Sequence, residues 1–311
     1  MSKILVTGGA GYIGAVLVPC LLEKGHQVEV VDNFLYNQTS LASSVSNRNL
    51  TLTLGDVRDQ SLMKASISRA DVIFPLAAIV GAPACNRDPH GAQSINKDAL
   101  LWMFKQVSSA QQIIMPTTNS AYGSGVDGGM CDENSQLNPI SLYARDKVLV
   151  EKSLLELENV VSFRLATVFG ISPRMRLDLL VNNFVYRAVT NKYLVLFEGH
   201  FKRNYIHLLD VVQAFMLALE NPAQFRSEIF NVGLSSANLS KIELCELIQS
   251  QIPDFVHFES KLGKDPDQRN YIVSNQKIEN LGFAPKVSLE EGIRELIVGM
   301  PMFTKQNFSN I

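Results

Sequence analysis

Lys3-Ile4-Leu5-Val6-Thr7-Gly8-Gly9-Ala10-Gly11-Tyr12-Ile13-Gly14 is the stretch that decides the fold. A short aliphatic run ends in glycines at i, i+3 and i+6, and an apolar helical pattern begins directly after them. At such a strand-to-helix turn, glycine permits a tight bend and lets the backbone approach a pyrophosphate, whose charge is met by N–H groups at the helix N-terminus. Three glycines in seven residues also describe an ordinary flexible turn. The context favours the dinucleotide reading. Eighteen residues past Gly14 a second β-branched run ends at Asp32, where a carboxylate accepts hydrogen bonds from both hydroxyls of an adenosine ribose and repels a 2′-phosphate. No Arg or Lys occurs from Val30 to Ser46, so NAD is expected over NADP. A third run ends in Gly55-Asp56-Val57, where Asp56 either holds an adenine amino group or caps the next helix.

Outward from this loop, short apolar runs alternate with amphipathic stretches: Ile4-Val6, Val28-Val31, Leu50-Leu54, Val72-Leu76, Ile113-Met115 and Val160-Phe163. That alternation predicts an α/β fold, a Rossmann-type doubly wound parallel sheet. Ala15-Lys24, Ser94-Ser109 and Leu142-Leu157 have the apolar spacing of helices that cover its faces. After about Thr167 the pattern loosens into a Pro/Arg loop, a helix over Leu179-Thr190 and a short strand, Tyr193-Leu196. Ser240 with Glu243 three residues on predicts a capping box opening another helix. The reading is a dinucleotide domain over 1–166 and a smaller mixed α/β lobe over 167–311 that holds the substrate, with some interleaving.

The chain has 311 residues, 46% hydrophobic and 19% charged, enough to bury a sizeable core. A net charge of −2 provides no positive field for nucleic acid or an anionic membrane, so any phosphate must be held locally. The apolar stretch Ala15-Leu22 contains Pro19 and is far short of a membrane span, and Lys3 leads into too short an apolar run for a signal peptide. The expected location is the cytosol. Cys20, Cys85, Cys131 and Cys245 lack metal or redox spacing, so free thiols and no metal site are expected.

Among eight tyrosines only Tyr143 has a lysine four residues on, Lys147, which places both side chains on one helix face. The pair follows the strand Ile113-Met115 and a polar turn, Thr117-Thr118-Asn119-Ser120. A tyrosine acting as a base near neutral pH needs its pKa of about 10 lowered by two to three units, and a lysine ammonium and a nicotinamide cation are expected to supply this. Thr118 would hydrogen-bond and orient the reacting hydroxyl. A surface helix beside a polar turn is the plain alternative.

These residues resemble the extended short-chain dehydrogenase/reductases that modify nucleotide-activated sugars. The resemblance spans nearly the whole chain and rests on the glycine loop, Asp32, Gly55-Asp56-Val57, Leu76-Ala77-Ala78, Tyr143-Ala144-Arg145-Asp146-Lys147, and Arg203-Asn204-Tyr205-Ile206-His207 with Asp210. It implies a catalytic triad of Thr118, Tyr143 and Lys147. It also implies an NAD site formed by Gly8, Gly11, Tyr12, Ile13, Gly14, Asp32, Asn33, Asp56, Val57, Leu76, Ala77, Ala78 and Asn96, together with the Tyr-Lys pair. On the substrate side it implies Asn119, Ser120, Asn183, Arg203 and Arg269, with Arg174 and Arg176 as weaker candidates in a basic loop. Arginine suits the task because its planar fork binds phosphate oxygens in pairs. Family habit and the two-sided apolar patterning of Ser94-Ser109 and Leu142-Leu157 suggest a homodimer.

Within the family, Thr117-Gly123, Arg164-Arg176 and Gly233-Ser240 are most similar to enzymes that oxidise C4 of a GDP-activated heptose in bacterial capsule biosynthesis. The family's 4,6-dehydratases carry an Asp-Glu pair directly after the catalytic threonine, where this chain has Asn119 and Ser120, so dehydration is disfavoured. Thr167 replaces the Asn usual in the hexose epimerases. Oxidation and 4-epimerisation share the first hydride step, and the motifs leave both open, as they do a non-catalytic dinucleotide-binding protein.

Overall fold

The computed structural model describes residues 1–125, 129–260, 262 and 268–303. Its strands are β1 Lys3–Thr7, β2 Gln27–Asp32, β3 Leu50–Leu54, β4 Val72–Pro75, β5 Gln112–Thr118, β6 Val160–Leu165, β7 Thr167–Phe169, β8 Tyr193–Leu196, β9 Lys202–His207, β10 Glu228–Val232, β11 Asn238–Ser240 and β12 Val256–Glu259. Seven of these form one parallel sheet in the order β10-β6-β5-β4-β1-β2-β3. The chain reverses its direction of travel across the sheet between β1 and β4, the switch point at which open α/β sheets leave a crevice beyond the strand ends.

The helices are α1 Gly14–Glu23, α2 Gln60–Arg69, α3 Ala82–Arg87, α4 Pro89–Gln93, α5 Ala99–Phe104, α6 Leu142–Leu154, α7 Leu180–Thr190, α8 Leu208–Glu220, α9 Pro222–Phe225, α10 Lys241–Gln251, α11 Gln276–Glu279 and α12 Leu289–Gly299. One face of the sheet is covered by α1 and α8, with Leu17, Leu21, Phe215 and Ala218 packed on Ile4, Val6, Phe74 and Phe163. The other face is covered by α2, α5 and α6 through Met63, Leu100, Met103 and Leu154. A separate core joins α7, α10 and α12 around Val185, Leu244 and Leu296. Burial on both faces explains why the central strands read as continuous apolar runs without a polar alternation.

Three features of the structure refine or depart from the sequence reading. Glu228–Val232 joins the dinucleotide sheet as its seventh strand beside β6, and Phe215 of α8 lies 5.7 Å from Phe163, so the later half of the chain completes the first core. The long helix expected over Ser94-Ser109 follows directly on α4, opens as a π-helical turn at Ser94–Asp98, continues as α5 and ends at Phe104. The wide turn brings Asn96 inward, where it spends its amide on the backbone of Ile79. Finally, Asp59 caps α2, accepting from the Ser61 and Leu62 N–H groups, which removes the capping role considered for Asp56.

Candidate active site

A cleft of about 840 Å³ lies at the switch point and runs from the glycine loop to the second lobe. Gly8 has φ +67°, and a Cβ there would stand 2.6 Å from Ala77, so this turn admits no side chain. A Cβ on Gly14 would lie 2.5 Å from the Gly9 carbonyl oxygen. Gly8, Gly11, Tyr12, Ile13 and Gly14 line the cleft at the start of α1, and the N–H groups of a helix's first turn favour an anion. Asp32 is 7% exposed at the end of β2 and accepts hydrogen bonds from the N–H groups of Ala10 (3.0 Å) and Phe34 (2.8 Å) and from Gln38 (3.2 Å). It clamps the glycine loop to the sheet while lining the cleft. Burial raises its pKa, against these hydrogen bonds.

Asn33, Asp56, Val57, Leu76, Ala77 and Ala78 also line the cleft. Arg58 donates to both Asp56 oxygens, at 2.8 and 2.7 Å, and holds that carboxyl down to about 2. The glycine cradle, the carboxylate at the end of β2 and the narrow floor of alanines fit a dinucleotide. Asn96 does not line the cleft. It is fully buried, accepts from the Ile79 N–H and donates to the Ile79 carbonyl, both at 2.8 Å, and so props the wall from behind.

Ser141 caps α6, accepting from the Ala144 N–H at 3.2 Å, and aims the first turn at the cleft. Tyr143 and Lys147 both line it, as does Thr118 at the end of β5. A buried network fixes α6 to β5 and β6. Glu151 accepts from Arg164 (2.6 Å), Thr117 (2.9 Å) and Ser162 (2.7 Å). Paired and hydrogen-bonded in this way, the buried carboxylate holds the helix that carries Tyr143 against the strand that carries Thr118.

The chain's own groups do not by themselves give the lowering expected of the tyrosine with its lysine and a nicotinamide cation. Burial pushes Tyr143 up to about 12, and the cations that oppose this are Arg176 and then Arg269. Burial also brings Lys147 down to about 8, with Cys85 and Asp146 opposing. Desolvation penalises both charged forms at once, so the chain alone holds the pair as phenol and a readily deprotonated amine.

On the substrate side Ser120, Asn183, Arg203 and Arg269 line the cleft, together with Arg174 and Arg176. Neither loop arginine is a surface residue: they are 6% and 7% exposed. Arg174 stacks on the Tyr36 ring at 4.4 Å and feels the charge of Asp32, which puts it on the dinucleotide side rather than at the sugar. Asn119 is fully buried off the cleft, and among the described residues neither its amide oxygen nor its nitrogen finds a hydrogen-bond partner. It therefore does not face substrate as expected. The Asn183 amide is engaged within the lobe, donating to the Leu177 carbonyl at 3.0 Å. Tyr36, Gln38, Asp178 and the Ile79–Ala84 turn line the cleft without having been singled out. They sit in loops or at the start of α3 with no motif, and only their distance from Asp32, the Ala77 strand end or Arg176 in the sequence hinted at them. Among the described residues, no group of three or more His, Cys, Asp or Glu is placed to hold a metal, and no helix is long and apolar enough to cross a membrane.

Residues 4–233 match the model of the NAD dependent epimerase/dehydratase family. The chain is 29% identical to the uncharacterized UDP-glucose epimerase YtcB of Bacillus subtilis, covering 94% of this chain and 95% of that protein. It is 27% identical to CDP-paratose 2-epimerase of Salmonella typhi, covering 94% and 97%. Among solved structures, UDP-glucose 4-epimerase of Thermotoga maritima with UDP-glucose matches with a TM-score of 0.84 and 28% identity over 96% of this chain and 99% of that one. UDP-glucose 4-epimerase of Thermus thermophilus in complex with NAD shares the fold, with a TM-score of 0.81 at 23% identity over 96% of this chain and 99% of that one. With the glycine cradle and the Tyr-Lys helix facing one crevice, the chain belongs to the NAD-dependent epimerase/dehydratase family, and NAD is its cofactor.

Proposed function

We propose that the protein oxidises C4 of a nucleotide-activated sugar to the 4-ketone, with Thr118, Tyr143 and Lys147 as the catalytic residues. The observation that carries this reading is their convergence on the cleft that also holds the glycine loop and Asp32. Held by the glycine loop and Asp32, NAD would supply a hydride acceptor and a positive charge beside the buried Tyr143. Tyr143, acting as the phenolate, takes the proton from the C4 hydroxyl as the C4–H bond breaks, leaving a C4 carbonyl and a neutral phenol. Thr118 hydrogen-bonds the reacting oxygen. Lys147 contributes its ammonium below about pH 8. Arg176, Arg203 and Arg269 provide cations for a diphosphate on the far side.

Dehydration needs a general acid and base beside Thr118. Ser120 has no such proton chemistry near neutral pH, and Asn119 is turned away. A GDP-heptose is the proposed substrate, supported by the resemblance of Thr117-Gly123, Arg164-Arg176 and Gly233-Ser240. The second reading is a 4-epimerase, favoured by the names of the similar proteins; it returns the hydride to the other face of the sugar.

The test incubates purified protein with UDP-, dTDP- and GDP-linked hexoses and GDP-heptose, with and without a 2-keto acid as second oxidant. Absorbance at 340 nm and product mass are followed. A product two mass units lighter, accumulating with the oxidant, supports the dehydrogenase. Unchanged mass with new stereochemistry supports the epimerase, and loss of water overturns the argument from Asn119 and Ser120.

A further inference from the structure

A dinucleotide carries its negative charge on a pyrophosphate, and the glycine loop meets that charge with backbone N–H groups. The loop itself contains no Arg or Lys, and none occurs from Val30 to Ser46. Yet Asn33, Leu35, Tyr36 and Gln38 of that second stretch line the cleft beside the glycines. Neither part of the first lobe that borders the adenosine end brings a cation to it.

A cation comes instead from the second lobe. Arg174 lies in the loop between β7 and α7, and this loop grips one residue of the glycine turn at two points. The Tyr12 hydroxyl donates to the Gly170 carbonyl at 2.7 Å, and the Tyr12 carbonyl accepts from Ser172 Oγ at 2.8 Å. Ser172 Oγ also accepts from the Arg174 N–H at 3.2 Å, which fixes the arginine backbone beside the start of α1. From there the side chain follows the cleft wall. Its guanidinium lies 4.4 Å from the centre of the Tyr36 ring and donates to the Met175 carbonyl.

The neighbours place this guanidinium along the length of the cleft. Arg174 feels the charges of Arg176 and Asp32. Asp32 marks the adenosine ribose, and Arg176 reaches the other end, where it is the first cation opposing the burial of Tyr143. A group between the ribose carboxylate and the catalytic tyrosine stands near the middle of a dinucleotide stretched from one to the other, and the middle of NAD is its pyrophosphate.

We propose that Arg174 is a cofactor-binding residue supplied by the second lobe, its guanidinium fork taking the pyrophosphate oxygens of NAD. The β7–α7 loop then closes the dinucleotide site from the substrate side, and both parts of the chain hold the cofactor. Arginine suits this place better than lysine, since its planar fork takes two oxygens while its flat face rests on Tyr36. The assignment concerns NAD alone and stands whichever reaction follows.

The experiment titrates the full chain, freed of bound dinucleotide, with NADH by nicotinamide fluorescence. R174Q is expected to weaken NADH binding about 10- to 100-fold, the loss of a charged, paired hydrogen bond. R174K keeps the charge without the fork and should weaken it about 3- to 10-fold. Displacement of NADH by ADP should suffer by the same factor as NADH itself. Displacement by adenosine, which has no phosphate, should change less than about 2-fold. If R174Q does not fold, R174K decides the matter through the same two displacements. An NADH affinity in R174Q within about 2-fold of wild type would overturn the proposal. So would adenosine weakened as much as ADP, which would make Arg174 a contact to the nucleoside or a prop for the glycine loop.

Discussion

Replacing Lys147 with methionine should destroy turnover and stabilise the fold. Lys147 is 3% exposed, and burial lowers its pKa from the ordinary 10.5 to about 8. The folded state therefore releases its proton more readily than the unfolded chain, and at pH 7 keeping it charged costs about 3 kcal/mol. A methionine side chain fills a similar volume without that penalty. The cost is fully present below pH 8. It shrinks as pH rises through the folded pKa, and vanishes above about 10.5, where the amine is neutral in both states. For 311 residues, about 3 kcal/mol corresponds to roughly 5 °C in Tm. Urea and thermal unfolding of dinucleotide-free protein at pH 7 and pH 10 would measure it. The variant should lead by several degrees at pH 7 and by much less at pH 10. A variant less stable than wild type at pH 7, or an advantage that does not depend on pH, would refute the assignment of a buried, strained ammonium.

Tyr143→Phe should cut turnover by about 10²- to 10⁴-fold with NAD affinity changed less than about 3-fold, measured by steady-state kinetics and calorimetry. Because burial raises Tyr143 and Arg176 is the first cation opposing it, the oxidation rate should climb into the alkaline range. Arg176→Gln should displace that climb to higher pH, seen in kcat against pH from 6 to 10. Asp32→Ala removes the acceptor of the Ala10 and Phe34 N–H groups along with the ribose ligand, and should weaken NAD binding at least 10-fold by fluorescence titration. We also expect α5 and α6 to pair between two copies. Leu149 is 51% exposed on α6, and Leu149→Arg should shift the light-scattering mass from dimer to monomer at micromolar concentration.

The legible parts of this fold were those with local causes. The glycine loop, the Ser240–Glu243 capping box and the strand Tyr193–Leu196 follow from turn sterics, a reciprocal hydrogen bond and a β-rich run, and all three are present. Tyr143 and Lys147 were readable because helical spacing places them together without help from the rest of the chain. What escaped depends on distant partners. Glu228–Val232 is too short and isolated to announce that it pairs with Val161–Leu165. Asn96 looked like a cofactor contact because its sequence position gives no sign that a π turn carries it to Ile79. Arg174 and Arg176 read as a basic surface loop, yet the fold buries that loop against Tyr12, whose carbonyl accepts from Ser172 at 2.8 Å. The charge of a neighbouring lysine is visible in a sequence, whereas the desolvation that raises the phenol and lowers the amine is not.

The most direct test of the central claim is isotopic. Nucleotide sugars deuterated at C4 are incubated with the NAD-bound enzyme in a single turnover, and the quenched cofactor and sugar are weighed by mass spectrometry. Hydride transfer from C4 predicts deuterium on the nicotinamide and a sugar that has lost the label. Deuterium retained at C4, with reduced cofactor unlabelled or absent, would contradict the account.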